Sequence, residues 1–138
     1  MYTFFYRSAP HPMLTTFDTP NFQTVCTRRV RSNTPLQALT MANDEAIIEM
    51  AEGLARRLIL HGPSSDEDRI TMAFRLCLSR HPDAAESQQL QSFIALQRNR
   101  LTAPDTSSTD REPADIELAT WTALARVLMN LDEFLTRG

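Results

Sequence analysis

From residue 35 onward the apolar side chains of this chain recur at steps of three and four, and no stretch alternates long enough to make a strand. That pattern confines the fold to helices, each burying one face. Local signals cut it into segments. In Thr34-Pro35-Leu36-Gln37 the threonine can cap a helix, proline suits the first helical position and Gln37 can complete a capping box. The spacing predicts a short helix near 35–42, a bend at Asn43-Asp44 and a longer helix near 44–61. Ile47, Met50, Leu54 and Leu58 form the stripe of that longer helix, and Gly62-Pro63 ends it. Ser65-Asp66-Glu67-Asp68 opens a third helix that buries Ile70, Ala73, Phe74 and Cys77 and stops at His81-Pro82. Asp83-Ala84-Ala85-Glu86 caps a fourth, with Leu90, Phe93, Ile94 and Leu101 on its apolar face. Residues 102–114, rich in Pro, Ser, Thr and Asp, read as a loop. The last helix is expected from about 115 to 136, carrying Leu118, Trp121, Leu124, Leu128, Leu131 and Leu135.

Residues 1–33 behave differently. Pro10, Pro12 and Pro20 bias their neighbours towards extended geometry, and Asp18-Thr19-Pro20-Asn21 has turn chemistry. Yet Tyr2, Phe4, Phe5, Tyr6, Met13, Leu14, Phe17 and Phe22 give this lead-in too much apolar surface for a solvated tail. The expectation is an all-α fold: an irregular, aromatic-rich N-terminal segment, then four to five helices packed as a small orthogonal or bundle-like domain. With 138 residues there is room for one domain, spanning 1–138. No apolar run approaches a membrane span. The N-terminus lacks the basic and apolar regions of a signal peptide, so the cytoplasm is only the default expectation for the chain as given and its localisation stays open.

All basic residues are arginine, and their distribution is uneven. Residues 1–35 hold four arginines against Asp18, net +3, whereas residues 36–138 hold ten against sixteen acids, net −6. Arg28, Arg29 and Arg31 immediately precede the helix start at Thr34. Backbone N–H groups and guanidinium forks there suit a sulfate, phosphate or carboxylate, so these four residues form the candidate anion site. Pairing of the same arginines with carboxylates of the fold is the plainer alternative. The basic stripe is short and the pI of 5.6 is acidic, so nucleic acid is not expected as a partner.

His11, His61 and His81 are scattered, H-E-x-x-H is absent, and neither a metal nor another cofactor is expected. Cys26 and Cys77 belong to no Cys-x-x-Cys motif; Cys77 falls on an apolar helix face, and Cys26 has no histidine near it in sequence. Asp132 and Glu133 are adjacent and so point to different sides of a helix. No catalytic constellation emerges.

At F-D-T-P-N-F-Q-T-V-C-T-R-R-V-R-S-N-T-P-L-Q-A-L, residues 17–39, the chain resembles the C-terminal part of the large planctomycete-type proteins that carry domain of unknown function 1553. Y-T-F-F-Y-R-S-A-P-H-P-M-L-T-T upstream, with A-F-R-L-C-L-S-R-H-P and A-R-V-L-M-N-L-D-E-F-L downstream, extends the likeness. The Cys26–Leu39 block is the specific part. Here Asn43-Asp44-Glu45 replaces the more usual Asn-Asp-Pro. The resemblance implies an exported, longer parent, often combined with a cytochrome-c-like region, of which this chain is a C-terminal fragment. It carries no haem ligand or catalytic residue onto any position here. Two functions are consistent with it. The first is a helical structural or interaction module that docks on the remainder of a larger polypeptide, or self-associates, through its apolar N-terminal segment. The second is part of an exported protein that binds or processes a sulfated or carboxylated polysaccharide through Arg28, Arg29 and Arg31.

Overall fold

A computed structural model describes residues 6, 8–20, 25–28, 32–103 and 112–136. These residues fold into seven helices: α1 (Pro12–Thr16), α2 (Pro35–Asn43), α3 (Glu45–His61), α4 (Asp66–Leu78), α5 (Ala84–Thr102), α6 (Pro113–Met129) and α7 (Asp132–Leu135). No strand occurs among the described residues. The fold is all-α.

Each long helix starts where its local chemistry dictates. At α2 the Thr34 side chain accepts from the Gln37 N–H at 3.2 Å while Gln37 Oε1 accepts from the Thr34 N–H at 3.0 Å, a complete capping box. Asp83 and Glu86 repeat that exchange at α5, at 2.7 and 2.8 Å. Between α2 and α3 the backbone turns extended at Asp44, whose carboxylate accepts from the Ala46 N–H at 3.0 Å. Asp44 therefore ends one helix and caps the next. α4 stops at Ser79, which adopts a left-handed conformation with φ 61°.

The core lies where α3, α4 and α5 close around α6. Ala55 and Leu58 from α3, Ile70, Ala73, Phe74 and Cys77 from α4, and Leu90 and Ile94 from α5 enclose Trp121, Leu124 and Leu128 of α6. Burying each large side chain contributes about 1.5–3 kcal/mol. A second cluster joins Met41 of α2, Ile47 and Ala51 of α3, and Ala125 and Met129 of α6, with Met13 and Phe17 packed against it. α6 touches α2, α3, α4, α5 and α7.

Within the otherwise irregular described part of the lead-in Pro12 opens the short α1, and the Thr15 and Thr16 hydroxyls donate to the His11 and Pro12 carbonyls one turn back. Two sequence expectations need correction. Met50 does not belong to the buried stripe of α3; it is 55% exposed. Ala51 and Ala55 take the inward positions, and small side chains there and at Ala125 let α3 approach α6 closely. The last helix is two helices, since the chain turns extended at Leu131 and restarts at Asp132 as α7. The expectations for Tyr2, Phe4, Phe5, Phe22 and most of the 102–114 loop lie outside the described residues.

Candidate functional site

The strongest sequence signal, Ser32-Asn33-Thr34-Pro35-Leu36-Gln37, becomes a fastening point. Gln37 is 2% exposed, and its side-chain amide reaches back to the N-terminal segment. Its Nε2 group donates to the Thr16 carbonyl at 2.8 Å and lies 3.1 Å from Ser32 Oγ and 3.3 Å from Asp18 Oδ2. Ser32 in turn donates to Asp18 Oδ2 through both its N–H, at 2.8 Å, and its hydroxyl, at 2.7 Å. Asp18 sits at φ 56°, a conformation that aspartate tolerates better than most residues and that this network holds in place. Asn33 donates to Asp132 at the start of α7. Ser32, Asn33 and Gln37 thus attach the start of α2 to the N-terminal segment and to α7. Sequence reasoning found the capping box but missed that Gln37 is also a buried hub.

Of the candidate anion-site residues, Thr34 and Arg28 fall within the described part; Arg29 and Arg31 lie outside it. Arg28 is exposed, and Thr34 is half-buried as the cap of α2. The first turn of that helix is already well used. Pro35 brings no N–H, the Gln37 N–H goes to Thr34 Oγ1, and the Ala38 N–H goes to the Thr34 carbonyl at 3.1 Å. Among the described residues the Leu36 N–H has no such partner and is what remains for an outside anion. Cys26 is exposed and its thiol donates to the Arg28 carbonyl at 3.4 Å, whereas Cys77 is buried, which pushes its thiol pKa up.

Two further constellations hold the helices together, and the sequence did not announce them. Arg98 of α5 lies between Asp66, at 2.5 Å, and Glu117, at 2.6 Å, joining α4, α5 and α6. Glu117 Oε2 also accepts from the Trp121 indole N–H at 3.1 Å. The guanidinium holds both carboxyls below their usual range. Arg80, just after α4, reaches Glu86 of α5 at 2.7 Å and Glu133 of α7 at 2.8 Å. Together with the Asp83 N–H it lowers the Glu86 pKa to about 2. Its guanidinium carbon also lies 5.2 Å from the Phe74 ring centroid. Each arginine engages its carboxylates through several N–H groups, a geometry suited to fixing helix positions.

The chemistry these groups offer is structural. An open groove of about 450 Å³ between α4 and α5 is lined by Glu67, Thr71, Asp83, Ser87, Gln88 and Gln91. Among the described residues no three His, Cys, Asp or Glu side chains gather as metal ligands would, and no helix is long and apolar enough to cross a membrane.

Residues 1–94 match the model of the PSD1 family, described as a protein of unknown function (DUF1553). The chain belongs to this family. The match contains the Asp18–Ser32–Gln37 fastening and ends within α5, at Ile94. No curated protein and no solved structure matches the chain. The matched residues thus carry α1–α4 and the first half of α5, with Leu90 and Ile94 of the core, while α6 and α7 lie beyond them.

Proposed function

We propose that this chain is a helical interaction module that docks on another polypeptide surface through the outer face of α2. The observation that carries this reading is that Leu36 and Leu39 are 59% and 60% exposed on a helix with no charged residue. Residues three apart share a helix face, so the two leucines form one apolar spot. Meanwhile Gln37 and Met41 lock the opposite face into the molecule. A rigidly held helix with an open apolar face suits docking better than turnover. In larger proteins of the kind the family resemblance implies, the natural counterpart is the rest of the same polypeptide.

The test is binding of a hydrophobic dye to the native protein, compared with a Leu36→Glu/Leu39→Glu variant. Dye binding that disappears in the variant, with helicity and melting temperature retained, is the expected outcome. A wild-type protein that binds no dye counts against the module. Salt-sensitive binding of a sulfated or carboxylated saccharide, lost on replacing Arg28, Arg29 and Arg31 by alanine, favours the polysaccharide reading instead.

A further inference from the structure

Each of α2 to α6 sends at least one side chain fully into the interior, and α7 sends none. Extended backbone at Leu131 sets this four-residue helix apart from α6. It lies against α4 and α6, where Leu131, Phe134 and Leu135 are half-buried. Phe134 packs against both apolar clusters, so it closes the place where the two meet. Two polar ties hold α7 there. Asn33, beside the start of α2, donates to Asp132. Arg80 donates to Glu133 through Nε, at 2.8 and 3.0 Å, and through Nη2, at 2.8 Å. Both members of this ion pair are open to solvent, Arg80 at 38% and Glu133 at 44%.

We infer that α7 is a latch, which swings away about the Asn130–Leu131 break while α2 to α6 stay folded, and so uncovers the apolar surface that Phe134 and Leu135 close. Three observations carry this. An element without a fully buried side chain, held by exposed hydrogen bonds, belongs to the part of a fold that opens first. Neither anchor needs α7 to stay in place: Arg80 keeps two bonds to Glu86 at 2.7 Å, and next to Asn33 the Thr34–Gln37 capping box closes on itself. A loosely attached segment makes local contacts only, whereas the two ties of α7 reach 99 and 53 positions along the chain and fix where it closes. Salt screens an exposed ion pair, so the latch loosens as ionic strength rises. The outer face of α2 plays no part in it, and the latch stands whether or not that face docks a polypeptide.

The experiment is hydrogen exchange of the full chain, followed amide by amide. The Phe134 and Thr136 N–H groups, bonded to the Leu131 and Asp132 carbonyls at 3.0 and 2.8 Å, report on α7. Those of Trp121 and Leu124 report on the bundle. In the wild type the two α7 amides are expected to open together, more often than those of α6 and less often than in unstructured chain. Asn33→Ala leaves the sequence of α7 intact and removes one tie; Glu133→Gln discharges the other. Each is expected to raise the opening of α7 by about two- to fivefold. Added salt should act in the same direction, with the α6 amides and the melting temperature nearly unchanged. Amides of α7 that exchange only in step with those of α6 show one cooperative unit and overturn the latch. Amides that exchange as fast as unstructured chain, or that ignore both substitutions, show that these ties do not hold α7, and overturn it equally.

Discussion

At the scale of single residues, Gln37 carries more than its size suggests. Its amide satisfies the Thr34 N–H and donates towards Thr16, Ser32 and Asp18 from a site that excludes water. Gln37→Met fills the same volume but leaves those partners without it, and unmet buried hydrogen bonds cost about 1–3 kcal/mol each. The expected result in urea denaturation is a loss of about 2–3 kcal/mol. A change of a few tenths shows that the network is replaceable by water. Two glycines make a complementary pair. A side chain at Gly62 meets the Leu58 carbonyl oxygen at 2.2 Å, the same carbonyl that accepts the Gly62 N–H where α3 ends. At Gly53, mid-helix, nothing lies within 4 Å of an added carbon. Gly62→Ala is therefore expected to destabilise by about 1–3 kcal/mol, and Gly53→Ala to stabilise by about 0.5–1 kcal/mol. Melting curves of the two variants should move in opposite directions.

At the scale of elements, the arginine clamps make stability depend on acid. Glu86 titrates at about 2 in the folded chain against an ordinary 4.5, and Asp66 and Glu117 are also lowered by Arg98. A carboxyl with a depressed folded pKa contributes stability fully above its unfolded pKa, and loses it as pH falls through the folded value. The melting temperature should thus decline from about pH 4.5 down to about 2. Arg80→Met should flatten that decline while lowering the melting temperature at neutral pH. An unchanged acid limb in the variant shows that the clamp contributes no net stability. How far the sequence foretold these elements follows from the range of each interaction. Caps and breakers act within four residues, so α2, α3, α4 and α5 were legible to within a residue or two. Arg80 meets Glu133 53 positions away and Arg98 meets Asp66 32 positions away, and no local pattern marks such pairs. The four-residue α7 was hidden for a related reason: Leu128, Leu131 and Leu135 keep helical spacing across the break at Asn130-Leu131. For the candidate site, Thr34 and Gln37 were readable as a cap, whereas the link from Gln37 to Asp18 spans 19 positions and was not.

At the scale of the whole molecule, the family match and the core do not share a boundary. Residues 1–94 carry α1 to α4 and half of α5, but the apolar faces of α3, α4 and α5 converge on α6. Trp121, Leu124, Ala125 and Leu128 are all 0% exposed, so α6 fills the space those helices enclose. Without it Ala51, Ala55, Leu58, Phe74 and Ile94 lose their common partner, and Arg98 loses its ion pair with Glu117. We therefore propose that the folding unit runs across the match boundary and takes in the whole of 1–138. A chain ending after Ala103 should show little cooperative unfolding and much exposed apolar surface. Trp121 tests the same point within the full chain. Replacing a buried tryptophan by alanine costs about 3–5 kcal/mol, a large part of the 5–15 kcal/mol that holds a typical domain together. Trp121→Ala should then lower the urea midpoint severely. Trp121→Phe should cost less, because it keeps most of the packing and gives up the indole bond to Glu117. If the 1–103 chain instead unfolds cooperatively with its helicity intact, α6 is an appendage, and the matched residues form a domain of their own.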